Sequence, residues 1–361
     1  MSKLKVGIIG GTGMVGQRFI SLLENHPWFE VVAIAASGKS EGKTYYQAVE
    51  DRWKMSTPIP EGVKNIVIKN ATDNVKEICD EVDFVFSAVD MKKDEIKKLE
   101  EEYARHETPV VSNNSAHRWT PDVPMLIPEI NADHVKVIDS QRKRLGTKNG
   151  FIAVKPNCSI QSYVPALSPL MNFGIKNVVA CTYQAISGAG KNFTDWPEMI
   201  DNVIPYIGGE EEKSEQEPLK IWGSVVDGEI VKVSTPLITT QCIRVPVIDG
   251  HLAAVFVSFD KKPSKEEILE IWEKYNGEPQ LLELPSAPKQ FVKYFEEDNR
   301  PQTRLDRDIE NGMGISVGRL REDSLYDYKF VCLSHNTVRG AAGGAVLMAE
   351  YLKAKGYIQS K

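Results

Sequence analysis

Two side chains in this 361-residue sequence could together carry covalent chemistry, a cysteine at position 158 and a histidine at position 251. Cys158 lies in Lys155-Pro156-Asn157-Cys158-Ser159-Ile160-Gln161, after the apolar run 151–154 and before apolar positions Val164, Leu167, Leu170 and Met171 at helical spacing. The pattern predicts a strand, a turn, and a cysteine in the first turn of a helix. Unpaired N–H groups and partial positive charge at such a helix end favour a thiolate and can hold an oxyanion beside it. A buried, inert cysteine is the competing reading of that window alone. His251 follows Ile248-Asp249-Gly250, between apolar runs 241–247 and 252–259. An Asp-Gly turn between two such runs reads as a hairpin, which would make Arg244 and His251 near neighbours. Of six histidines, His26, His106 and His134 stand in charged or surface-like segments. His251 taken alone would be structural more often than catalytic, but coupled to Cys158, a nicotinamide site and Arg244 it becomes the candidate general acid/base.

A second constellation opens the chain. The strand signal Lys5-Val6-Gly7-Ile8-Ile9 runs into Gly10-Gly11-Thr12-Gly13-Met14-Val15-Gly16, and Phe19, Leu22 and Leu23 continue at helical spacing. Glycines at 10, 13 and 16 between a strand and a helix let backbone approach a pyrophosphate and aim a helix N-terminus at it. A second strand, 31–36, ends in Ser37-Gly38-Lys39-Ser40, where an NAD-binding chain carries Asp or Glu for the ribose 2′-hydroxyl. Hydroxyls and a lysine there suit a 2′-phosphate, hence NADP(H); a solvated polar turn is the bland alternative. Cysteine, histidine and a nicotinamide together describe thiohemiacetal chemistry, in which a thioester links acyl transfer to hydride transfer.

The elements that must position these residues fall into two textures. Strand signals at 66–68, 82–88 and 109–112 alternate with helical segments, including the charged stretch 94–105, and imply a doubly wound parallel sheet. Asn113-Asn114-Ser115-Ala116-His117-Arg118 then follows a strand's carboxyl end, where such sheets bind ligands, and Arg118 is a candidate anion binder. Beyond Cys158 the pattern changes. Strand character at 177–185 leads to Gln184-Ala185-Ile186-Ser187-Gly188-Ala189-Gly190, and 191–240 shows no clear period. Its acidic run Glu210-Glu211-Glu212 reads as solvent-exposed. Strands 241–247, 252–259, 314–319 and 328–334, with a helix opening at Ser264, describe an α+β unit. A small-residue-rich helix over 338–354 is suited to close packing back against the first unit. The expected architecture is α/β plus α+β: a Rossmann-type domain over 1–157, completed by a C-terminal helix at 336–361, and a catalytic and dimerisation domain over 158–335.

Composition sets the boundaries. Charged residues at 26% and hydrophobic residues at 42% describe an ordinary globular chain, and a net charge of −6 argues against a nucleic-acid surface. No apolar run reaches membrane-spanning length, and no signal peptide opens the chain. Five scattered cysteines without a Cys-x-x-Cys pair suggest neither a disulfide framework nor a metal site, and point to a cytoplasmic protein.

These motifs carry a resemblance. Gly10-Gly11-Thr12-Gly13-Met14-Val15-Gly16-Gln17, Asn113-Asn114-Ser115 with Arg118, Pro156-Asn157-Cys158-Ser159 and 184–190 are similar to aspartate-β-semialdehyde dehydrogenases of the archaeal and fungal branch. So are Glu217 with Lys220, Arg244-Val245-Pro246 with Gly250-His251, and Asn336-Thr337-Val338-Arg339-Gly340. The resemblance implies NADPH-dependent reduction of aspartyl phosphate to the semialdehyde, with phosphate released, in threonine, methionine and lysine synthesis. It implies Cys158 as nucleophile, His251 as general acid/base and Gln184 orienting the intermediate. Arg244 would hold the substrate α-carboxylate and Glu217 its amino group. Lys220, Arg118 and Asn114 would bind phosphate or acyl phosphate. Gly10, Thr12, Gly13, Met14, Val15 and Gly16, with Ser87, Ser187, Gly188 and Asn336, would line the cofactor, and Ser37, Lys39 and Ser40 would take its 2′-phosphate. The family often carries arginine where this chain has Lys39, which lacks the bidentate fork. A homodimer or homotetramer is implied, with small-molecule substrates and no nucleic-acid or membrane partner. N-acetyl-γ-glutamyl-phosphate reductases share the design but differ around the cysteine. Malonyl-CoA reductases are closer and would have no use for Glu217. A non-catalytic NADP-binding regulator would have lost Cys158 or His251, and a phosphate-handling hydrolase would need a metal-ligand cluster.

Overall fold

The computed structural model describes residues 2–361. Its first part alternates β1 (Leu4–Ile9), α1 (Met14–Leu23), β2 (Phe29–Ala36), α2 (Tyr45–Val49), β3 (Lys69–Asn70), α3 (Val75–Glu81), β4 (Phe84–Ser87), α4 (Lys93–Arg105), β5 (Val110–Ser112), α5 (Ile138–Leu145) and β6 (Ile152–Val154). The six strands pair in parallel in the order β3-β2-β1-β4-β5-β6. Chain direction forces this layout, because parallel neighbours need crossovers and the crossovers cover both faces of the sheet. β4 is accordingly buried at every residue, and Phe86 stacks on Phe19 of α1 with ring centroids 4.5 Å apart. Burying each such ring stabilises the fold by about 1.5–3 kcal/mol. The third strand signal is displaced: residues 66–68 exchange backbone hydrogen bonds with 43–45, and pairing with β2 begins at Lys69.

The second part contains α6 (Tyr163–Leu167), β7 (Ile175–Gln184), α7 (Glu210–Ile221), the small hairpin β8 (Ser224–Val226) and β9 (Glu229–Val231), β10 (Leu237–Arg244), β11 (His251–Phe259), α8 (Lys265–Lys274) and α9 (Glu278–Leu281). It continues through β12 (Val292–Phe295), α10 (Thr303–Asp306), β13 (Ile315–Glu322), β14 (Tyr328–Ser334) and α11 (Gly343–Ala354). A mixed sheet of order β10-β7-β11-β14-β13-β12 forms its centre. Along β11 buried and half-buried residues alternate, so Ala253, Val255 and Val257 face the core while Leu252, Ala254 and Phe256 do not. Ser264 caps α8 as its sequence suggests: its hydroxyl accepts from Glu267 N–H, and the Glu267 side chain accepts from Ser264 N–H.

Three expectations fail here. First, β10 and β11 do not form a hairpin; β7 lies between them, parallel to β10 and antiparallel to β11. Pro246 has no N–H to continue β10, and the six residues that follow Arg244 swing over the end of β7, with Val245 N–H bonded to Gln184 and Ile186 N–H to Val247. Second, the segment after Cys158 is not one helix. Four residues of 3₁₀ turn (Cys158–Gln161), α6 and a further 3₁₀ turn (Ser168–Phe173) follow one another, with prolines at 165 and 169. Third, α7 occupies the stretch that shows no apolar period. Its inward stripe is Glu210, Ser214, Glu217 and Ile221, at helical spacing but almost wholly polar.

α11 returns to the first sheet. Ala342, Ala345, Val346 and Leu347 share one apolar cluster with Val6, Ile8, Phe84, Phe86 and Val111. The opposite face of that sheet and the covered face of the second share another cluster, joined through Ile160, Tyr163, Val164 and Leu167. The Cys158 segment thus sits where both cores meet. No helix among the described residues is long and apolar enough to cross a membrane.

Candidate active site

Cys158 enters its turn directly from β6, and His251 is the first residue of β11. The two parts of the chain bring them together, with Cys158 Sγ 3.5 Å from His251 Nε2. The nearness of Arg244 and His251 is real although its expected cause is not. A Cβ on Gly188, just past the end of β7, would stand 2.9 Å from Arg244 Nη1 and 3.1 Å from His251 Nε2. Glycine at 188 is what lets the strand end pass between them. Gly340 does the same on the other side, where a Cβ would come within 2.8 Å of the Cys158 Cβ.

The imidazole is fully buried, with two backbone groups beside its ring. Ala185 N–H donates to Nδ1 at 3.1 Å, and the Gly250 backbone can accept from the ring. With Nδ1 accepting, the neutral ring holds its proton on Nε2; only when Nδ1 donates to backbone instead is Nε2 free to receive the thiol proton, as the attack requires. Burial, then the nearby Arg244 guanidinium, pushes the His251 pKa down to about 3, so the ring rests neutral.

The thiol rests protonated as well. Burial first and Glu210 second push Cys158 up to about 11, against the opposing pull of Arg118, Arg244 and Lys155. A helix N-terminus was the expected source of thiolate stabilisation. A four-residue 3₁₀ turn has too short a dipole to supply it, and the side chains of Arg118, Arg244 and Lys155 stand in its place. The expected result is that Cys158 alkylation by iodoacetamide in the free protein, followed by peptide mass, climbs steadily as pH rises from neutrality toward 11. A plateau near neutral pH would mean a thiolate already present at rest.

α7 supplies the floor. Glu210, 8% exposed, accepts from the Asn157 side-chain amide (2.8 Å) and from Lys213 (2.8 Å), with Gln184 Nε2 at 3.5 Å. Burial opposes its charge, but Lys213 and the Asn157 amide hold its carboxyl below the ordinary range. The solvent-exposed reading of this residue is thus overturned, and a site residue was missed in an acidic run. Glu217, fully buried, accepts from Arg118 Nη1 (2.9 Å) with one oxygen and from Asn157 N–H (2.6 Å) with the other. Both of its oxygens thus brace Arg118 and the nucleophile's turn. Lys220 gives all three of its N–H groups to the carbonyls of Arg118, Thr120 and Val123, leaving none for phosphate.

Arg118 itself donates Nε to Lys155 O (2.9 Å) and Nη1 to Glu217, and lines the pocket with Cys158. Its Nη2 has no hydrogen-bond partner among the described residues. Asn114, expected beside it, commits its amide to Ser87 (3.0 Å) and to the buried Glu100 (2.9 Å); its neighbour Asn113 faces the pocket instead. Ser87 belongs to that same buried network and not to a cofactor surface. Gln184, 1% exposed, gives its amide to Thr182 Oγ1 (3.3 Å) and Glu210. Asn336 ties the parts together, accepting from Gly250 N–H (2.8 Å) and donating to Ser187 Oγ (2.8 Å).

Two cavities flank the glycine loop. One of about 210 Å³ is lined by Met14, Val15, Cys158, Ser187, Gly188 and Asn336, among others. The second, of about 340 Å³, is lined by Gly10, Thr12, Gly13, Ser37, Gly38 and Thr72 with apolar walls from Ala88 and Met91. A Cβ on Gly16 would come 2.3 Å from Gly10 O, so this glycine lets α1 pack against the loop, whereas a Cβ on Gly13 would have no atom closer than 3.6 Å. Open backbone at Gly13 before a ten-residue helix is the cradle a pyrophosphate needs, and a polar-rimmed apolar slot beyond it suits an adenosine. A dinucleotide laid across both cavities would carry its nicotinamide toward Cys158. A larger hollow of about 450 Å³, lined by Lys3, Leu23, Glu30 and Glu61, holds neither cysteine nor histidine.

Residues 5–138 match the family model described as semialdehyde dehydrogenase, NAD binding domain, and residues 167–339 the one described as semialdehyde dehydrogenase, dimerisation domain. The chain is 42% identical over 352 residues to the aspartate-semialdehyde dehydrogenase of Methanothermobacter thermautotrophicus, spanning 97% of this chain and 99% of that one. It is 43% identical over 365 residues to the Aspergillus fumigatus enzyme of the same name, spanning 99% of each. A crystal structure of aspartate semialdehyde dehydrogenase with NADP from Candida albicans aligns with a TM-score of 0.88 at 40% identity, over 99% of this chain and 100% of that chain.

Proposed function

The chain belongs to the aspartate-semialdehyde dehydrogenase family, and from that membership we propose how its own side chains carry the reaction. The reaction is the reversible, NADPH-dependent reduction of L-4-aspartyl phosphate to L-aspartate 4-semialdehyde, with phosphate released, in the biosynthesis of threonine, methionine and lysine. The observation that supports this course is the thiol and imidazole 3.5 Å apart in a cavity continuous with the glycine loop.

His251 Nε2 takes the thiol proton as Sγ attacks the acyl carbon. The carbon–sulfur bond forms, the carbon–oxygen bond to phosphate breaks, and phosphate leaves with a solvent proton. Arg118, through its unpaired Nη2, binds that anion, and Glu217 and Lys220 act by holding Arg118 and its loop. Arg244 takes the α-carboxylate, since a planar guanidinium matches both oxygens. Gln184 orients the thioester. NADPH, when bound along Gly10–Gly16 with Ser37, Lys39 and Ser40 at its 2′-phosphate, supplies one hydride to the thioester carbon. His251 then returns its proton to the developing alkoxide, and takes it back as the carbonyl re-forms and the carbon–sulfur bond breaks. The imidazolium finally reprotonates the thiolate, and both groups are restored.

The protein self-associates, as the dimerisation-domain match over 167–339 indicates; a dimer or a pair of dimers is the proposed assembly, and the cytoplasm the proposed location. NADP⁺ reduction at about 340 nm should require aspartate semialdehyde and phosphate together. Silence with that pair, and NADPH oxidation with malonyl-CoA, would keep the chemistry and overturn the substrate.

A further inference from the structure

Lysine at position 39 offers a 2′-phosphate a point charge but no planar fork in the sequence that follows β2. The fold brings one from elsewhere. Arg52, in the short 3₁₀ turn after α2, extends its guanidinium to Ser40, with Nη2 3.4 Å from the Ser40 hydroxyl oxygen. We infer that Arg52 reads the 2′-phosphate of NADP(H) together with Lys39, Ser37 and Ser40. This rests on the reading that the dinucleotide lies along the glycine loop with its adenosine ribose at the end of β2.

Three features make this a built position. The guanidinium is anchored from behind, Nε donating to Ala48 O at 2.8 Å, so its fork is oriented before any anion arrives. The backbone is anchored too. Gln17, 2% exposed, donates its amide to both Thr12 O (3.1 Å) and Arg52 O (3.2 Å), and its oxygen accepts from Lys54 N–H (2.8 Å). One buried side chain therefore holds the Arg52 turn in register with the loop that meets the pyrophosphate. Finally, Ser40 is buried and its oxygen accepts from Arg52, which leaves the hydroxyl proton free to donate to a phosphate oxygen. Ser40 N–H closes the turn onto Ser37 O at 3.0 Å, and Lys39 stands exposed at its tip.

A competing group is present. Glu41 accepts from the Asn70 amide at 3.3 Å and lies 4.0 Å from where a Gly38 Cβ would be, the kind of carboxylate that holds the ribose 2′-hydroxyl of NAD. Asn70 is shared with Asp73 at 2.8 Å, so two carboxylates face the amide while Arg52 faces Ser40. A 2′-phosphate on the serine side meets charge-assisted hydrogen bonds, and NADH would find none of them.

Equilibrium binding separates the two arrangements without relying on turnover. NADPH and NADH are titrated into the full-length protein, followed by nicotinamide fluorescence, with 2′,5′-ADP and 5′-AMP as competitors. Arg52→Ala should weaken NADPH and 2′,5′-ADP by about 10- to 100-fold, the value of a hydrogen bond to a charged group, and leave NADH and 5′-AMP unchanged. Arg52→Lys should recover part of the loss, because a lysine cannot hold Ala48 O and the phosphate at once. Equal weakening of NADPH and NADH would overturn the inference, since Arg52 would then merely hold the loop. Unchanged NADPH binding would overturn it in favour of Lys39 and the serines alone. Wild-type protein that binds NADH as tightly as NADPH would favour Glu41, and wild-type protein that binds neither would overturn the cofactor placement along with it.

Discussion

Replacing Cys158 with alanine is expected to remove turnover by on the order of 10⁵-fold or more, the effect of deleting a covalent nucleophile whose partners act only through it. The substitution should leave the fold intact. The side chain lost is small and only partly buried, and the Sγ contacts to Asn157 and His251 are the weak ones of a neutral thiol. Cofactor binding should persist, because the adenosine cavity lies on the far side of the glycine loop. Phosphate-dependent NADP⁺ reduction and NADPH titration on the same preparation measure the two quantities separately. Intact mass after rapid quench adds a positive signature, an acyl adduct on wild-type Cys158 that the variant lacks. Residual activity within tenfold of wild type would assign the nucleophile elsewhere, and Cys181, Cys242 and Cys332 on the second sheet would then need the same treatment.

His251→Asn should cost about 10²- to 10⁴-fold in kcat, the range for removing a positioned general acid/base, with little change in KM for aspartate semialdehyde. Asparagine keeps a polar group near Ala185 N–H but cannot cycle a proton at the place of Nε2. The two neutral groups at rest make the loss steep. The thiol is held up near 11 and the imidazole down near 3, so productive proton transfer occurs only as the acyl group arrives and the developing charges stabilise one another. In the variant the thiolate must come from solvent alone. Its rate should therefore rise with pH over a range where the wild-type rate is flatter, the folded-state thiol being raised above its ordinary value. A large increase in KM with kcat preserved would mean that His251 binds substrate and does not move the proton.

Several parts of this site are legible in one dimension because they depend on local chain geometry. The glycine loop announces itself through spacing between a strand and a helix, and Gly16 confirms why: no side chain fits between α1 and Gly10. The Asn-Cys-Ser turn announces itself through the strand before it. α7 does not. Helices are found in sequence by their apolar stripe, and its stripe is Glu210, Ser214 and Glu217, polar because it faces the nucleophile's turn and not a core. Glu210 consequently read as part of a solvated acidic run.

The sequence by itself determined which chemistry was available: one cysteine after a strand, one histidine beside an arginine pattern, a dinucleotide loop, and a parallel sheet to carry it. Tertiary structure alone decided how those groups are occupied. It inserted β7 between the expected hairpin strands, tied Glu217 and Lys220 to internal partners, turned Asn113 and not Asn114 to the pocket, and carried Arg52 to Ser40 across a separation of 12 residues. The division has a physical origin. Backbone conformation and amphipathic period are set by near neighbours, while a buried polar side chain takes whichever partner the packing of distant segments leaves within hydrogen-bond reach.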